Sequence, residues 1–194
     1  MITSSPICLV ILAGGQSVRM GTDKAAIRLD GQRLIDIVIG RFASAAEQIM
    51  LSARDDYDTG LEIIPDDPLA PGGPVGGIFS VAARLQEIGI TGFVTVPVDA
   101  PHAPVELIAR LTETGQCAVA GDQQRIHPTF GHWLCDTVNG IREAHQPGER
   151  APSLHWLAER CGAEVVRWQD PALFLNINQP EDLERAASHK KTGA

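Results

Sequence analysis

Four charged side chains in this chain have types and positions typical of phosphate sites. Arg19 and Lys24 lie within LAGGQSVRMGTDK, residues 12–24, directly after an apolar run, and Asp66 and Asp99 each follow another such run. Arginine binds phosphate oxygens as a planar fork and lysine as a point charge. A carboxylate such as Asp99 can hold Mg²⁺ that bridges nucleotide phosphates. The alternative for Asp99 is a turn residue that caps the following helix.

The glycine pair Gly14-Gly15 in the same stretch allows a ligand to approach the main chain closely. A strand that ends in a glycine turn presents backbone N–H groups that cradle an anion. The alternative is an ordinary tight turn beside two solvated cations. Spacing alone leaves both interpretations open, because short glycine motifs also occur by chance.

Two known phosphate-binding patterns come close to this stretch, and neither fits it. A P-loop reads G-x-x-x-x-G-K-[ST], whereas here five residues separate Gly15 from Gly21, and Thr22-Asp23 precede Lys24. A dinucleotide turn reads G-x-G-x-x-G and leads directly into a helix, whereas this segment predicts an extended loop. A phosphate site at this position is therefore of another kind.

Apolar runs and helical spacing alternate along the chain, which predicts strands alternating with helices. The predicted strands are residues 7–12, 48–51, 61–64, 93–98, 118–120, 164–168 and 174–177. The predicted helices are residues 34–46, 78–85, 105–111 and 154–160, with a last helix opened by residues 179–182. Between residues 121 and 153 the pattern assigns no element.

This alternation predicts an α/β fold with a mostly parallel sheet covered by helices on both faces. In such sheets, ligands bind at the carboxyl ends of the strands. The loop after strand 7–12, Asp66 and Asp99 all lie at such ends, so we expect them to share one site. The length of 194 residues fits a single domain over residues 1–187, followed by a frayed tail at residues 188–194.

The composition excludes some classes of function. Lys and Arg number 16 against 24 Asp and Glu, a net charge of −8, which argues against a broad nucleic-acid surface. The four cysteines show no C-x-x-C spacing and predict reduced, buried thiols. The start of the sequence lacks the basic residues of a secretory signal, and no apolar stretch is long enough to cross a membrane. We therefore expect a cytoplasmic protein with neither a nucleic-acid nor a membrane partner.

The stretch at residues 12–24 resembles LAGGxSxRMGxDK, the signature loop of the nucleotidyltransferases that activate sugars and cofactors. This version closely resembles the molybdenum cofactor guanylyltransferase family. The resemblance continues in the family's order over residues 7–187, in GGPVGG at 72–77, VPVDAPHAP at 96–104, RIHPTFG at 125–131 and FLNINQPEDL at 174–183. Five ordered blocks are far more specific than one loop.

This resemblance implies a three-layer Rossmann-like nucleotidyltransferase fold. The implied activity is transfer of GMP from GTP to the terminal phosphate of Mo-molybdopterin, with release of pyrophosphate. The implied catalytic residues are Arg19, Lys24 and Asp99, with Mg²⁺ as cofactor on Asp99. The implied GTP-binding residues are Leu12, Ala13, Gly14, Gly15, Lys24, Ser52, Asp66 and Asp99, and the implied molybdopterin-binding residues are Gly76, His127, Asn176 and Asn178. Further implied partners are molybdenum-insertion proteins and the molybdoenzymes that accept the cofactor.

Two features within the resemblance bear on nucleotide choice. A sibling family that uses CTP for the same cofactor carries Leu-Ala-Ala-Gly, whereas this chain has Gly14 at the third position. The missing methyl group leaves room at the backbone for the larger purine or its ribose. Ser52 stands where some members have Asn, so it offers one hydrogen bond in place of an Asn-specific contact. The alternatives are a cytidylyltransferase for the same cofactor or for a sugar or isoprenoid phosphate, and a non-catalytic GTP-binding protein.

Three of the residues on the pterin side have an ordinary structural alternative. Asn176 and Asn178 alternate on one predicted strand, so both are expected to face the same side and to offer amides to pterin or phosphate. Their alternative is turn and cap roles before Pro180. His127 resembles a family position near the pterin, and a structural histidine is the alternative.

Overall fold

The computed structural model describes residues 7–14, 24–145, 152–177 and 182. The predictions made for Gly15, Arg19 and Asn178 lie outside these residues. So do the tail at residues 188–194 and most of the last predicted helix.

The strands of the described ranges form a large sheet and a small hairpin. The hairpin pairs β2 (Arg28–Leu29) with β3 (Gln32–Arg33) through a turn at Asp30 and Gly31, whose φ angles are 51° and 84°. The large sheet contains β1 (Cys8–Leu12), β4 (Gln48–Ser52), β5 (Glu62–Ile64), β6 (Gly92–Pro97), β7 (Ala118–Gly121), β8 (Ile126–Leu134) and β9 (Glu164–Arg167).

The helices are α1 (Leu34–Phe42), α2 (Pro74–Glu87), α3 (Leu107–Thr112), α4 (Cys135–Ala144) and α5 (Leu154–Arg160), with 3₁₀ turns at Lys24–Ala26 and Pro171–Phe174. α2 begins before the predicted residue 78, so part of the glycine-rich segment lies inside this helix. Among the described residues, no helix has the length and apolar character needed to cross a membrane.

The large sheet has the strand order β5-β4-β1-β6-β8-β7-β9. β5, β4, β1 and β6 run parallel to one another, and β7 runs parallel to β9. β8 is antiparallel to both of its neighbours. The predicted fold class, a mostly parallel α/β sheet, is therefore confirmed. The carboxyl ends of the parallel strands share one edge of the sheet, which we call the carboxyl edge.

Helices cover both faces of the sheet and give three layers. On β1, Leu9 and Ile11 belong to the core on the side of α1 and α3, whereas Cys8 and Val10 belong to the core on the side of α2, α4 and α5. All four side chains are fully buried. A strand buried on both faces is apolar at successive positions, which explains why β1 is a continuous apolar run.

The sequence pattern missed β8 and α4, which lie within residues 121–153. Pro128 and Gly131 argue against a strand there, since proline cannot donate to a ladder and glycine weakens it. The register between β7 and β8 shifts at this point, so Pro128 falls in a bulge that needs no donor. At Gly131 a Cβ would lie 2.6 Å from the ring of Trp133, so a side chain at this position would collide with the indole.

The predicted strand 174–177 is wrong. Pro171–Phe174 form a 3₁₀ turn instead, and residues 175–177 belong to no strand. Asp170 starts the turn by accepting a hydrogen bond from the N–H of Ala172 at 2.9 Å, and Pro171 at the first position favours it. The expectation that Asn176 presents its amide from a strand is therefore also wrong.

The cysteines are free thiols, with Cys8, Cys117 and Cys135 buried and Cys161 half-buried. Burial raises the pKa of both Cys8 and Cys135 to about 12. A thiol that stays protonated is a poor nucleophile, so these two residues serve packing rather than chemistry.

Candidate active site

The end of β1 is fixed between its two neighbouring strands. Beyond the strand ladder, the N–H of Ala13 donates to the carbonyl of Ser52 at 2.9 Å. The carbonyl of Leu12 accepts from the N–H of Val98 at 3.1 Å. The first residues of the glycine stretch are thus held at the carboxyl edge, as the end of a parallel strand predicts.

Gly14 has little protein around its missing side chain. Among the described atoms, a Cβ at this position would meet the carbonyl oxygen of Ser52 at 3.5 Å, which is an ordinary van der Waals contact. The described part of the protein therefore tolerates a methyl group here. A requirement for glycine at this position would come from a ligand, as the resemblance leads us to expect.

A lysine and an aspartate from distant parts of the chain meet at the carboxyl edge. Lys24 begins the first 3₁₀ turn, and Asp99 follows β6. Lys24 Nζ lies 2.6 Å from Asp99 Oδ2, and the two side chains are 25% and 8% exposed. Hydrogen bonds between ionised groups are short and strong, and burial limits their screening by salt.

The second carboxylate oxygen of Asp99 is buried, and no donor from the described residues reaches it. A buried charged oxygen without a hydrogen bond costs free energy. The main chain of Asp99 is anchored, because its carbonyl accepts from the N–H of Ile177 at 2.8 Å. Asp99 is therefore a fixed carboxylate, one oxygen of which pairs with Lys24 while the other receives no hydrogen bond from the described residues.

Ser52 and Asp66 both face Gly77, which lies in the first turn of α2. A Cβ on Gly77 would lie 3.0 Å from Ser52 Oγ and 3.3 Å from Asp66 Oδ1. Ser52 is buried and Asp66 is exposed. The protein packed around the carboxyl group of Asp66 still raises its pKa, an effect that Arg54 opposes. A hydroxyl and a carboxylate beside bare backbone form a polar niche with two oxygens that can accept hydrogen bonds.

Gly76, which the resemblance assigns to molybdopterin, is buried. A Cβ at Gly76 would lie 1.9 Å from the carbonyl oxygen of Pro71, so the preceding loop requires glycine here. Ser80 supports the same loop, since its Oγ accepts from the N–H of Asp67 and donates to the carbonyl of Gly76, both at 2.8 Å. Gly76 thus shapes the loop that follows Asp66, and its pterin contact stays a prediction.

The polar groups lie side by side along the carboxyl edge. Asp66 follows β5, Ser52 ends β4, Leu12 ends β1 and Asp99 follows β6, and these strands are adjacent in that order. Neighbouring strands are about 4.8 Å apart, so the distance from the first to the fourth is about 14 Å. An extended nucleotide has a comparable length. The charges suit one orientation, in which the base or ribose lies at Asp66 and the phosphates lie at Lys24.

His127 lies at the start of β8, on the other side of β6, and is 8% exposed. Its Nε2 lies 2.8 Å from Asp122 Oδ2, and its ring stacks on Phe174 with 4.7 Å between centroids. Burial lowers the pKa of His127, against an opposing effect of Asp122. The backbone N–H groups of Gln124 and Arg125, together with His127, lower the pKa of Asp122 to about 2. These contacts are those of a structural histidine, and a pterin contact stays a prediction.

The segment after Phe174 connects this histidine to Asp99. Phe174 packs edge-to-face against Phe130 at 5.1 Å and against Trp168 at 5.4 Å. Ile177 then bonds to the main chain of Asp99. Asn176 is half-buried between these two anchors. The fold therefore brings Asn176 close to Asp99, although not by means of a strand.

The structure brings much of the predicted site together. The predicted residues that share the carboxyl edge between β5 and β6 are Leu12, Ala13, Gly14, Lys24, Ser52, Asp66 and Asp99. Sequence reasoning missed Gly77, although the GGPVGG block contains it, and it missed Tyr57. The hydroxyl of Tyr57 lies 3.4 Å from the carbonyl oxygen of Ala13, and nothing in its acidic loop signals this contact.

A mostly parallel sheet with Gly14, a lysine and carboxylates at its carboxyl edge is typical of the α/β folds of the Rossmann-like class, which bind ligands at this edge. The sequence profile described as "MobA-like NTP transferase domain" matches residues 9–169. A curated molybdenum cofactor guanylyltransferase of Cereibacter sphaeroides is 36% identical over 186 residues, covering 92% of this chain and 94% of the relative. Another, of Rhizobium leguminosarum bv. trifolii, is 33% identical and covers 95% and 93%. The chain belongs to the MobA-like NTP transferases, and among them to the molybdenum cofactor guanylyltransferase family.

Solved structures share the fold over nearly the whole chain. Molybdopterin-guanine dinucleotide biosynthesis protein A of Archaeoglobus fulgidus has a TM-score of 0.70 at 21% identity, covering 95% of this chain and 99% of that one. The 4-diphosphocytidyl-2C-methyl-D-erythritol synthase of Anaerococcus prevotii has a TM-score of 0.74 at 14% identity, covering 96% of both. At such low identity the likeness establishes the fold alone. Proteins named for guanine and for cytidine nucleotides both have it, so the fold does not select the base.

Proposed function

We propose that this protein transfers GMP from GTP to the terminal phosphate of Mo-molybdopterin, forming the molybdopterin guanine dinucleotide cofactor and pyrophosphate. The observation that carries this proposal is the 36% identity over 186 residues to a protein curated as a molybdenum cofactor guanylyltransferase. The order of polar groups along the carboxyl edge is compatible with it.

GTP lies across the ends of β5, β4, β1 and β6. Its guanine or ribose occupies the niche of Ser52, Asp66 and Gly77, where two side-chain oxygens accept hydrogen bonds from the ligand. The main chain from Leu12 to Gly15 seats the guanosine. The triphosphate reaches Lys24, with Arg19 as the second cation.

Asp99 fits a magnesium ion at the phosphate end of this site. Its buried Oδ1 receives no hydrogen bond from the described residues, and Mg²⁺ takes one or two protein carboxylates together with phosphate oxygens and waters. Within the described ranges, no three His, Cys, Asp or Glu side chains gather as a metal cage. A cation shared between Asp99 and the nucleotide suits such a surface. When bound, it supplies positive charge to the phosphates.

The reaction needs little acid–base chemistry because its nucleophile is already an anion. An oxygen of the molybdopterin phosphate forms a bond to the α-phosphorus of GTP. The bond from this phosphorus to the α,β-bridging oxygen breaks, and pyrophosphate leaves with the electron pair. Catalysis then consists of holding the two reactants in line and neutralising negative charge. Lys24 and Arg19 stabilise the charge that develops on the transferred and leaving phosphates.

The acceptor lies on the other side of Asp99, where residues 175–177 cross the edge. Asn176 is the described polar side chain of that segment, and its amide can bond to pterin or phosphate, with Asn178 as the expected second amide. His127 supports this segment through its stack on Phe174. The proposed acceptor site thus depends on the anchor between Ile177 and Asp99.

The test is to incubate the purified protein with Mo-molybdopterin, Mg²⁺ and either GTP or CTP, and to measure pyrophosphate and the mass of the product. We expect pyrophosphate only when GTP and the pterin are both present. A preference for CTP would support the cytidylyltransferase alternative. Binding of GTP without any pyrophosphate would support the non-catalytic alternative.

A further inference from the structure

Tyr57 contacts the main chain of the glycine stretch from outside the sequence motifs. It lies in the loop after β4, and its half-buried ring packs against the core on the side of α1. Its hydroxyl donates to the carbonyl oxygen of Ala13 at 3.4 Å. Hydrogen bonds at binding sites are often long in the ligand-free protein and tighten when the ligand binds.

The loop holds Tyr57 in an uncommon backbone conformation. The φ angles of Tyr57 and Asp58 are 52° and 55°, left-handed values that cost free energy for residues other than glycine. Asp55 Oδ1 accepts from the N–H of Tyr57 at 2.9 Å, and Asp56 Oδ1 accepts from the N–H of Asp58 at 3.0 Å. Arg33 donates to the carbonyl of Tyr57 at 2.6 Å. These three hydrogen bonds fix the direction in which the tyrosine ring leaves the loop.

A hydrogen bond that fixes the Ala13 carbonyl also orients the next N–H in the chain, that of Gly14. The carbonyl of Ala13 and the N–H of Gly14 belong to one trans peptide plane, in which they point in opposite directions. Because glycine has many accessible conformations, it offers little resistance to rotation of this plane. The N–H of Ala13 is already bonded to Ser52 at 2.9 Å. A second bond, at the carbonyl, therefore sets the direction of the Gly14 N–H.

We propose that Tyr57 is a positioning residue for nucleotide binding. Its hydroxyl holds the Ala13 carbonyl and thereby aims the N–H of Gly14 at the nucleotide. This inference rests on the proposed function, in which the main chain at Leu12 to Gly15 seats GTP. Tyr57 acts through the peptide plane and not by touching the ligand.

The test compares two substitutions that each remove one hydroxyl from the same loop. Tyr57→Phe keeps the ring and removes the donor to Ala13. Thr59→Val is the matched control, because Thr59 Oγ1 donates at 2.7 Å to the carbonyl of Asp56, within the loop itself. The readouts are the Kd for GTP, kcat and KM with Mo-molybdopterin, and hydrogen exchange of the peptide spanning residues 9–14 in the ligand-free protein.

We expect Tyr57→Phe to raise the Kd and KM for GTP roughly five-fold, the usual effect of one neutral hydrogen bond, with kcat nearly unchanged. We also expect faster exchange in residues 9–14 for Tyr57→Phe and wild-type behaviour for Thr59→Val. Equal Kd and equal exchange in both variants would overturn the inference. A wild-type protein that does not bind GTP would overturn the proposed function instead, and hydrogen exchange would then decide the Tyr57 contact alone.

Discussion

Lys24 Nζ and Asp99 Oδ2 are 2.6 Å apart, although 75 positions separate the two residues in the chain. In the protein alone, the lysine is a counter-ion of the carboxylate that we assign to the metal. Under the proposed function, binding of a metal–nucleotide complex would exchange these partners, with Lys24 moving to a phosphate and Asp99 taking the cation. A metal ion without nucleotide offers Lys24 no new partner.

Replacing Lys24 by methionine should therefore affect metal binding and catalysis in opposite directions. We expect the affinity for Mn²⁺ alone to rise roughly ten-fold, because a nearby positive charge is removed. We expect kcat to fall by about 100-fold or more, because the charge on the transferred phosphate loses its partner. Titration calorimetry with Mn²⁺ measures the first effect, and pyrophosphate release measures the second. Asp99→Asn is the control and should lose metal binding both without and with nucleotide. Unchanged Mn²⁺ affinity in Lys24→Met would contradict the exchange of partners.

Replacing Gly14 by alanine tests whether the missing methyl group serves the ligand. A Cβ there meets described protein only at 3.5 Å, so we expect an unchanged melting temperature. The GTP affinity should fall at least ten-fold relative to that for CTP, if the methyl group occupies space needed by the purine or its ribose. Gly40→Ala is the matched control, since a Cβ at this exposed position of α1 meets no described atom within 4 Å. It should stabilise the protein by about 0.5–1 kcal/mol and leave nucleotide preference unaltered. A Gly14→Ala protein with wild-type preference would refute the role of this glycine in base choice.

Replacing Asp66 by asparagine separates stability from binding. The pKa of Asp66 is raised in the folded protein, so the folded state binds this proton more readily than the unfolded state. The ionised carboxylate therefore lowers stability at neutral pH, and Asp66→Asn should melt at the same or a higher temperature. Its GTP affinity should fall roughly ten-fold, because a charged hydrogen-bond acceptor is lost.

Comparison with inosine triphosphate, which lacks the 2-amino group, locates the contact of Asp66. A loss confined to GTP indicates the 2-amino group of guanine, and an equal loss for both nucleotides indicates the ribose or the N1–H that the two bases share. Wild-type affinity for both would remove Asp66 from the site.

Two buried histidines predict how stability depends on pH. Burial lowers the pKa of His127 and of His132 from the ordinary value of 6.5. Below pH 6.5 the unfolded chain therefore binds more protons than the folded one, so stability rises with pH in this range and is lost as pH falls through the folded-state values. The free energy of unfolding should thus decrease steadily from about pH 6.5 towards pH 5, as urea denaturation would measure. His132→Gln should flatten this dependence, and a slope of opposite sign would contradict the burial effect.

The positions of Asp66 and Asp99 were predictable because one rule of parallel sheets decides them. Apolar runs mark β5 and β6, and the residues that follow such runs lie at the carboxyl edge whatever the details of packing. The rule does not place Lys24, whose contact with Asp99 joins distant parts of the chain.

The parts that were not predictable depend on contacts between segments. β8 contains a proline and a glycine that local rules count against a strand, and only its bulge and the Trp133 ring explain them. Residues 174–177 are mostly apolar like a strand, yet Phe174 packs in an aromatic cluster and ends a 3₁₀ turn. The bond between Tyr57 and Ala13 joins two loops whose sequences contain no sign of each other.

The hydrogen bond from Ile177 to Asp99 also bears on the order in which parts of the site become available during translation. Domains begin to fold from their N-terminal parts while the ribosome is still adding residues. A nascent chain that has reached α4 already carries Lys24, Asp66 and Asp99, but it lacks the segment that anchors Asp99 and borders the proposed acceptor site. Such a chain carries the described residues of the proposed nucleotide site before it carries those of the proposed acceptor site. Translation through residue 177 is thus the step that supplies the anchor of Asp99 and the described border of the proposed acceptor site.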